Sequence, residues 1–412
     1  MTTARRTPPK VARPTPAPLV DSPVVADLER RLRQADDPRA VLEAFWAGPA
    51  ARTPVVEPVA GTDEVIVTFL WRDGTAGDVL LFVNRLTDER RLDDSLMRRL
   101  HGTDVWHLAY RMRSDWRASY SLVVSPVGQR QPWRDDTDQA SVRQALDHGS
   151  RDPGNPEMIR NVRGVAQSVV VLPGAPPQPW LDARAGVPGG ALSRAEGPDG
   201  RAVWLYRTAD AGDTNQLPLL LAFDGEIWTS SQDLATTLDN LRADRRIPPM
   251  CAVFVGAGNR ATRWSHLGAG SGVEDWVADR LLPWVRQRLP VTDDPSRVVA
   301  AGQSLGALAA LACAVQRPDS VGCVVSQSAS LWQTELFAAL ADRPWVRARV
   351  YLEVGRQEWV LLEPNRDFAR RLTAAGAHMR MVEFNGGHDY ACWRGGIADG
   401  VGWIAEGWPD PR

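Results

Sequence analysis

A short motif at residues 298–307 constrains the fold of this chain more than any other stretch. Four apolar residues beginning at Val298 lead into Gly302-Gln303-Ser304-Leu305-Gly306, and an Ala- and Leu-rich stretch continues to about Gln316. A strand, Gly-x-Ser-x-Gly and a helix in this order form the context of a nucleophile elbow, a sharp turn that exposes the serine hydroxyl above a sheet. The motif therefore predicts that Ser304 is a catalytic nucleophile; the alternative is a glycine-rich turn without chemistry.

The second half of the chain alternates predicted strands with predicted helices. Apolar runs predict strands at 202–207, 217–223, 250–255, 296–301, 322–326, 348–354 and 379–384. Helical patterns lie between or after them, at about 234–243, 273–289, 307–316, 363–375 and 401–408. This alternation is typical of a mainly parallel α/β sheet.

The first half has a different pattern. Residues 1–22 are rich in Pro, Ala and Arg and are predicted to be a disordered tail. Two helices, at about 24–33 and 38–46, precede strands predicted at 64–71, 78–83, 105–112, 118–124 and 166–172, with a helix near 141–148. Short strands separated by Asp and Gly turns favour a β-sandwich. We therefore expect an accessory β domain at 23–180, a Pro- and Gly-rich connection over 173–200, and a catalytic α/β domain at 195–412.

Composition excludes several classes of function. The formal net charge is −2, with 44% hydrophobic and 24% charged residues, so no global attraction to nucleic acid or to an anionic membrane is expected. The four cysteines lie far apart without metal-ligand spacing, which favours free thiols in a reducing compartment and no metal site. There is no apolar signal segment at the N-terminus and no run as long as a membrane span. A cytoplasmic location is the expectation.

An elbow serine needs a general base, and histidine is the usual one near neutral pH. In α/β-hydrolases the base comes last in chain order, which leaves His378 and His388. His378 precedes the last predicted strand, whereas His388 follows its carboxyl end, where catalytic groups gather in such sheets. His388 is therefore the predicted base; the alternative is an exposed loop histidine.

The acid of the triad should follow the preceding strand. Glu358 lies in the loop after residues 349–354, whereas Glu353 lies inside that strand and is expected to be a face residue. Asp389 is the rival acid, but adjacent residues seldom orient each other well. Glu358 is preferred, and Asp389 stays open.

An oxyanion hole needs two backbone N–H donors. One donor should be the residue after the nucleophile, Leu305, and the other should come from the loop after an early strand. Residues 219–226 supply such a strand and a glycine turn, so the Glu226 N–H is the candidate. An ordinary Asp-Gly turn is the alternative.

The chain resembles the enterochelin (enterobactin) esterases over nearly its whole length beyond the tail. In the second half, the matching segments are Leu221-Ala222-Phe223-Asp224-Gly225, Ala300-Ala301-Gly302-Gln303-Ser304-Leu305-Gly306, Ser326-Gln327-Ser328 and, most specifically, Gly386-Gly387-His388-Asp389-x-x-Cys392-Trp393-Arg394-Gly395-Gly396. In the first half they are Val67-Thr68-Phe69-Leu70-Trp71, Gly102-Thr103-Asp104-Val105-Trp106 and Asp152-Pro153-Gly154-Asn155-Pro156. The resemblance implies an immunoglobulin-like domain followed by an esterase-D-type α/β-hydrolase.

The resemblance also implies a reaction. Family members cleave the trilactone of 2,3-dihydroxybenzoylserine, often as its iron complex, so the expected partner is a small-molecule siderophore. Iron would enter only as part of the substrate, without any cofactor. Because such a complex is an anionic catecholate, arginine and aromatic side chains should line the site. Trp228, Arg263, Trp393 and Arg394 stand in or near family-matching segments and are the expected substrate contacts, with a core position as the alternative for each tryptophan.

Three positions depart from the family pattern. His266 stands where a glutamate is usual, and Leu305 and Ala307 replace an aromatic residue and a glycine at the elbow. These changes leave two other functions open: an acyltransferase, cyclase or thioesterase-like hydrolase of secondary metabolism, and a siderophore-binding protein without catalysis. Retention of Ser304 and His388 argues against the second.

Overall fold

The computed structural model describes residues 7–129, 131, 133, 139–212, 215–342 and 347–409, with only the backbone of 139–141. Its contacts divide the chain into two compact units. The first unit comprises Arg13–Pro176 together with Asn385–Ala391. The second comprises Pro177–Phe384 and Cys392–Arg412, with Met1–Ala12. The second unit thus includes residues from Pro177 onward, and a short loop after its last strand groups with the first unit, while the expected domain bounds 23–180 and 195–412 stay predictions.

The first unit contains three helices and eight strands among the described residues. The helices are α1 (Pro23–Gln34), α2 (Pro38–Ala47) and α3 (Gln139–Asp147), and the strands are β1 (Val55–Pro58), β2 (Glu64–Arg72), β3 (Ala76–Val83), β4 (Arg98–Arg99), β5 (Val105–Arg113), β6 (Arg117–Pro126), β7 (Met158–Arg160) and β8 (Ala166–Val171). The Asp37 side chain caps α2 by accepting from two backbone N–H groups of its first turn, as its position before Pro38 predicts. The very short β1, β4 and β7 have no sequence signal and were not predicted.

The strands of the first unit form two antiparallel sheets, in the orders β1-β2-β5-β4 and β3-β6-β8-β7. Alternate residues of β2, such as Val67 and Phe69, share one buried core with alternate residues of β3 and β6. Phe69 packs edge-on against Tyr120, with ring centroids 5.0 Å apart. Two sheets around one core are the β-sandwich that the alternating pattern predicts; the more specific immunoglobulin-like topology stays a prediction.

The Pro-rich segment before α1 contacts this unit, although residues 1–22 were expected to be a disordered tail. Residues 1–6 lie outside the described residues. Beyond them, the Val20 N–H donates to the Ala109 carbonyl of β5, and the Arg13 guanidinium donates to the carbonyls of Arg85 and Leu86. Proline needs no donor partner and the arginine supplies several, so a segment of this composition can lie along a sheet without forming regular structure.

The second unit is a three-layer α/β structure. Its strands are β9 (Ala191–Glu196), β10 (Ala202–Arg207), β11 (Leu219–Phe223), β12 (Cys251–Val255), β13 (Val298–Gln303), β14 (Cys323–Gln327), β15 (Arg349–Gly355) and β16 (His378–Phe384). Its helices are α4 (Gly225–Trp228), α5 (Leu234–Ala243), α6 (Arg260–Leu267), α7 (Val273–Trp276), α8 (Leu282–Arg286), α9 (Leu305–Gln316), α10 (Glu335–Ala341), α11 (Leu362–Ala374) and α12 (Tyr390–Ala405), which starts in the loop grouped with the first unit.

The eight strands form one sheet in the order β9-β10-β12-β11-β13-β14-β15-β16. Strand β10 runs antiparallel to both of its neighbours, and the pairs from β12 through β16 are parallel. This is the sheet of an α/β-hydrolase, as predicted. The loops after β11, β13, β14, β15 and β16 therefore leave the sheet at the same edge.

Three predictions about this unit were wrong, each for a local reason. The expected helix over 273–289 is divided by a π-helical turn at Val277–Leu281, just before Pro283, which has no N–H to continue an α-helical ladder. Strand β9 lies in the region interpreted as a connection, because an exposed edge strand shows no apolar alternation. Helix α12 starts near residue 390 rather than 401. Its glycines permit close packing: a Cβ at Gly400 would lie 2.7 Å from Val325.

A buried aspartate fastens the turn at residues 152–155 to the β-sandwich. Asp152 accepts hydrogen bonds from the Thr53 hydroxyl at 2.8 Å and from the Tyr120 hydroxyl at 2.7 Å. Asn155 donates to the same tyrosine oxygen at 3.0 Å. A buried polar group that loses its hydrogen-bond partner destabilises the protein, because no water replaces that partner. The contribution of each of these side chains to stability therefore depends on the others.

We expect Tyr120→Phe and Asp152→Asn each to lower the free energy of unfolding of this unit by about 1–3 kcal/mol. The double variant should lose less than the sum, because both single changes remove the same hydrogen bond. Urea titration followed by fluorescence measures the cycle, and strictly additive losses would show that the two side chains are not coupled.

Candidate functional site

The elbow predicted from the sequence is present at the end of β13. Ser304 has φ 59° and ψ −113°, a left-handed conformation that non-glycine residues seldom adopt. A Cβ on Gly302 would lie 2.3 Å from the carbonyl carbon of Gly306, so the strand and α9 pass each other with no room for a side chain. This close approach forces the turn and stores strain of about 1–3 kcal/mol at the serine.

The neighbouring strand fixes both sides of the serine backbone. The Ser304 N–H donates to the Gln327 carbonyl at 3.0 Å, and its own carbonyl accepts from the Ser330 N–H at 3.0 Å. The Ser330 hydroxyl, which is buried, lies 3.2 Å from the Ser304 hydroxyl. No feature of the sequence pointed to Ser330, because its position beside the nucleophile depends on the pairing of β13 with β14.

Glu358 occupies the loop after β15, as predicted, and is 1% exposed. Its Oε2 accepts from the Ser328 hydroxyl at 2.5 Å and from the Gly355 N–H at 2.7 Å. The Trp393 indole N–H donates to the same Ser328 hydroxyl at 3.0 Å. A buried carboxyl group with two donors on one oxygen is rigidly oriented, which a triad acid requires.

Glu353 is the other carboxyl group of this strand, and its surroundings differ. Burial raises its pKa to about 8, although the Gln327 amide, which donates to it at 2.5 Å, opposes the shift. A Cβ on Gly396 of α12 would lie 2.0 Å from its Oε2, so the helix lies directly on the carboxyl group. Glu353 is therefore a neutral packing group at pH 7, the face residue that its place inside the strand predicts.

A chain of buried side chains crosses beneath the elbow. The Trp228 indole donates to Gln303 at 3.0 Å, Gln303 donates to Gln327 at 2.6 Å, and Gln327 donates to Glu353 and, at 2.9 Å, to the Trp393 carbonyl. Trp228 is 1% exposed and Trp393 is 3% exposed. In this conformation both indoles support the strand ends from within, and their contact with substrate stays a prediction.

The two expected oxyanion donors each lie in the first turn of a helix. Leu305 is the first residue of α9, and Glu226 is the second residue of α4. The N–H groups of a helical first turn have no partner within the helix and point out of its end. Because α4 follows β11 and α9 follows the neighbouring β13, both N-termini lie at the carboxyl edge of the sheet.

Arg263 holds this region together through its guanidinium. Its Nε and Nη2 bind the two carboxylate oxygens of Asp224 at 2.6 and 2.8 Å, and Nη2 also reaches the Gln303 carbonyl at 3.2 Å. Asp224 is buried, has φ 59° and precedes α4. The ion pair thus ties the turn that carries Glu226 to the residue before Ser304. The charge of Arg263 is matched by Asp224, and its direct contact with an anionic substrate stays a prediction.

Arg394 is half-buried on α12 and donates from Nε to Gln178 at 3.3 Å. His266, the departure from the family pattern, is half-buried on α6. Burial, with a smaller contribution from the positive charge of Arg201, lowers the pKa of His266. His266 is thus neutral at pH 7.

The predicted base lies in the first unit. His388 is half-buried within residues 385–391, the loop that follows β16 and groups with the β-sandwich. Asp389 next to it is buried; its Oδ2 accepts from the Ser119 N–H at 2.6 Å and hydroxyl at 2.8 Å, and its Oδ1 accepts from the Ala391 N–H. His378 is the first residue of β16 and packs against Trp403 with the two rings tilted by 52°, at the opposite edge of the sheet from the elbow.

No group of three or more His, Cys, Asp or Glu suited to a metal ion occurs among the described residues. Within the same part of the chain, no helix has the length and apolar character needed to cross a membrane.

Two family models match the chain. One, described as the N-terminal domain of enterochelin esterase, covers residues 66–181, and the other, described as a putative esterase, covers residues 210–404. Fold and family model together define an ester hydrolase of the α/β-hydrolase class.

Relatives with assigned functions are similar over nearly the full length. The iron(III) enterobactin esterase of Dickeya dadantii (strain 3937) is 32% identical over 91% of this chain and 95% of its own length. The iron(III) salmochelin esterase of Escherichia coli O6:H1 is 34% identical over 88% of this chain and 93% of its own length. The chain belongs to the enterochelin (enterobactin) esterase family, which confirms the resemblance seen in its motifs.

Solved structures agree with this membership. The ferric enterobactin esterase of Salmonella typhimurium superposes with a TM-score of 0.75 at 27% identity, covering 88% of this chain and 98% of that one. The Shigella flexneri enterobactin esterase, crystallised in the presence of enterobactin, gives 0.71 at 27% identity over 85% and 95% of the two chains.

We expect Gly302→Ala to lower the free energy of unfolding by about 3 kcal/mol or more, because its methyl group would overlap backbone that cannot move aside. Gly402→Ala is the matched control: that glycine lies inside α12, and a Cβ there would meet only the Arg246 guanidinium at 3.7 Å. The control should be neutral or stabilising by up to about 1 kcal/mol. Urea unfolding measures both, and equal effects would contradict the close approach at the elbow.

The buried Glu353 predicts a pH dependence of stability. Its pKa is near 4.5 in the unfolded chain and about 8 in the folded protein. Between these values the unfolded state releases a proton that the folded state keeps, so stability should fall as pH rises through this window. Glu353→Gln should flatten the melting temperature between pH 5 and pH 8.5.

Glu383→Gln serves as the control for that experiment. A hydrogen bond from Arg366 lowers the pKa of Glu383, so its contribution to stability is lost only as pH falls below about 4.5. This variant should lose stability without changing the slope between pH 5 and pH 8.5. A wild-type slope in Glu353→Gln would show that Glu353 is not the responsible group.

Proposed function

We propose that this protein is a serine esterase that hydrolyses the lactone bonds of a catecholate siderophore of the enterobactin type, presented as its iron(III) complex, and so releases iron in the cytoplasm. The observation that carries the proposal is the strained Ser304 at the end of β13, at the sheet edge that also carries Glu358. Its support is that relatives of nearly full length are named iron(III) enterobactin and salmochelin esterases.

In the proposed mechanism, Ser304 Oγ attacks a lactone carbonyl while the imidazole of His388 takes its proton. The tetrahedral oxyanion accepts hydrogen bonds from the N–H groups of Leu305 and Glu226. His388 then returns the proton to the departing serine hydroxyl of the substrate, leaving an acyl-enzyme. Water, activated by the same imidazole, releases the acid and restores Ser304. No step uses a cofactor, and iron belongs to the substrate.

Glu358 is the proposed acid because of its position after β15, whereas Asp389 fastens its own loop. Each carboxylate oxygen of Asp389 accepts hydrogen bonds from other groups, two from Ser119 and one from Ala391. Glu358 lies after β15, at the edge of the sheet where Ser304 follows β13. Its role is to fix the imidazole tautomer and to stabilise the imidazolium that forms during attack.

For substrate binding we propose Arg263 and Arg394 as the cationic contacts and Trp228 and Trp393 as the aromatic ones. Arg263 also fixes the turn that carries Glu226, and the two tryptophans also support the strand ends. The partner is the small-molecule siderophore, without nucleic acid or membrane.

The test is incubation with linear and cyclic enterobactin, with and without iron(III), followed by mass spectrometry of released dihydroxybenzoylserine. Ser304→Ala and His388→Ala should lower kcat by about 10⁴-fold or more, and Glu358→Gln by about 10²–10⁴-fold. Glu363→Gln, an exposed change at the start of α11, is the control and should leave kcat unchanged.

Two outcomes would contradict the proposal. Absence of turnover for every enterobactin form would exclude the siderophore substrate. Transfer of the acyl group to an added amine in preference to water would favour the acyltransferase instead. Labelling of Ser304 by a fluorophosphonate, lost in Ser304→Ala, separates an esterase from a protein that only binds siderophore.

A further inference from the structure

The loop of residues 385–391 is held at both ends by the β-sandwich unit to which it belongs. At its start, the Asn385 amide donates to Asp115 at 2.7 Å and the Asn385 carbonyl accepts from the Arg117 N–H at 3.2 Å. At its end, Asp389 binds both the N–H and the hydroxyl of Ser119. Hydrogen bonds to a carboxylate are among the strongest that proteins make, so these contacts fix where the loop begins and ends.

The middle of the loop fits against the turn that follows β3. The Asn84 amide donates to the His388 carbonyl at 3.1 Å. A Cβ on Gly387 would lie 2.1 Å from the Arg85 side chain and 2.6 Å from the Asn84 amide oxygen. A side chain at 387 would thus overlap the side chains of this turn, which lie directly against the loop, and the His388 carbonyl is held by Asn84.

The supporting residues are themselves fixed. The Asn84 N–H donates to the Ser119 carbonyl at 3.0 Å, which continues the pairing of β3 with β6 beyond Val83. Arg13, from the segment before α1, donates to the carbonyls of Arg85 and Leu86 at 2.7 and 2.6 Å. The sheet therefore presents a rigid surface to the loop.

We propose that the β-sandwich unit is a positioning element for catalysis, in which Ser119 and Asn84 hold the 385–391 loop so that its histidine is fixed for proton transfer. Ser119 and Asn84 act through His388 and are positioning residues. The inference rests on the proposed function only in taking His388 as the base. It gives Asp389 a role in fixing the loop and assigns a task in catalysis to the β-sandwich unit.

A misplacement of a catalytic group by about 1 Å can lower a rate by about 10²-fold. Ser119→Ala and Asn84→Ala should therefore each lower kcat by about 10- to 100-fold. KM should stay within about threefold, because neither side chain is assigned a contact with substrate. Both enterobactin and a simple p-nitrophenyl ester serve as substrates, since base positioning affects every ester alike.

Ser121→Ala is the matched control. Ser121 lies two residues along β6, is buried like Ser119, and its hydroxyl reaches the Leu146 carbonyl at 3.5 Å rather than the loop. It should keep the wild-type kcat even where urea unfolding shows a loss of stability. Asn84 is half-buried, so Asn84→Ala keeps the test decisive if Ser119→Ala folds poorly.

The outcomes separate this inference from the proposed function. If Ser119→Ala and Asn84→Ala keep the wild-type kcat while Ser304→Ala and His388→Ala are inactive, the positioning role is wrong and the esterase proposal stands. If kcat falls in proportion to stability in Ser121→Ala as well, the effect is only structural and the inference is overturned. If the wild type cleaves p-nitrophenyl esters but not enterobactin, the siderophore proposal fails and the positioning test remains decisive. If the wild type hydrolyses no ester, both fail.

Discussion

The contact between Gly302 and Gly306 is the constraint on which the rest of the second unit depends. It lets β13 and α9 approach until no side chain fits between them, and the chain can then reverse only through a left-handed residue. That residue is Ser304, and its strain is balanced by backbone hydrogen bonds to Gln327, the last residue of the next strand, and to Ser330 in the loop that follows it. The proposed nucleophile is thus placed by the sheet, and its position at the turn is a consequence of backbone packing.

The same strand ends are joined a second time by side chains. Gln303 and Gln327 connect the indole of Trp228 to the carboxyl group of Glu353 through buried hydrogen bonds. Burying an amide costs free energy unless its donor and acceptor groups are hydrogen-bonded. These hydrogen-bonded side chains therefore fix the positions of the ends of β13, β14 and β15 relative to each other. Because Ser304 and Glu358 follow the ends of β13 and β15, substitutions of these buried side chains should shift both residues together.

The parts of this structure that the sequence predicts are those encoded locally. The strand, Gly-x-Ser-x-Gly and helix around Ser304 are contiguous, so spacing alone identifies them. Strand β9 could not be predicted, because an exposed edge strand has no apolar face. The start of α12 was missed because it contains Gly396 and Gly400, whose close contacts are with side chains distant in the sequence. Trp228 and Arg263 were recognised as noteworthy, but residue type does not reveal whether a polar group meets protein or ligand.

Three carboxyl groups illustrate why roles could be ranked but not settled from the sequence. Glu353, Glu358 and Asp389 all lie near the ends of β15 and β16, and any of them could be written into a triad. Glu353 is kept neutral by burial under α12, and Asp389 is occupied by Ser119 and Ala391. Glu358 alone combines a loop position after β15 with donors that orient one oxygen. The surroundings of each carboxyl group, rather than its residue type, therefore distinguish the packing role of Glu353, the loop-fixing role of Asp389 and the proposed catalytic role of Glu358.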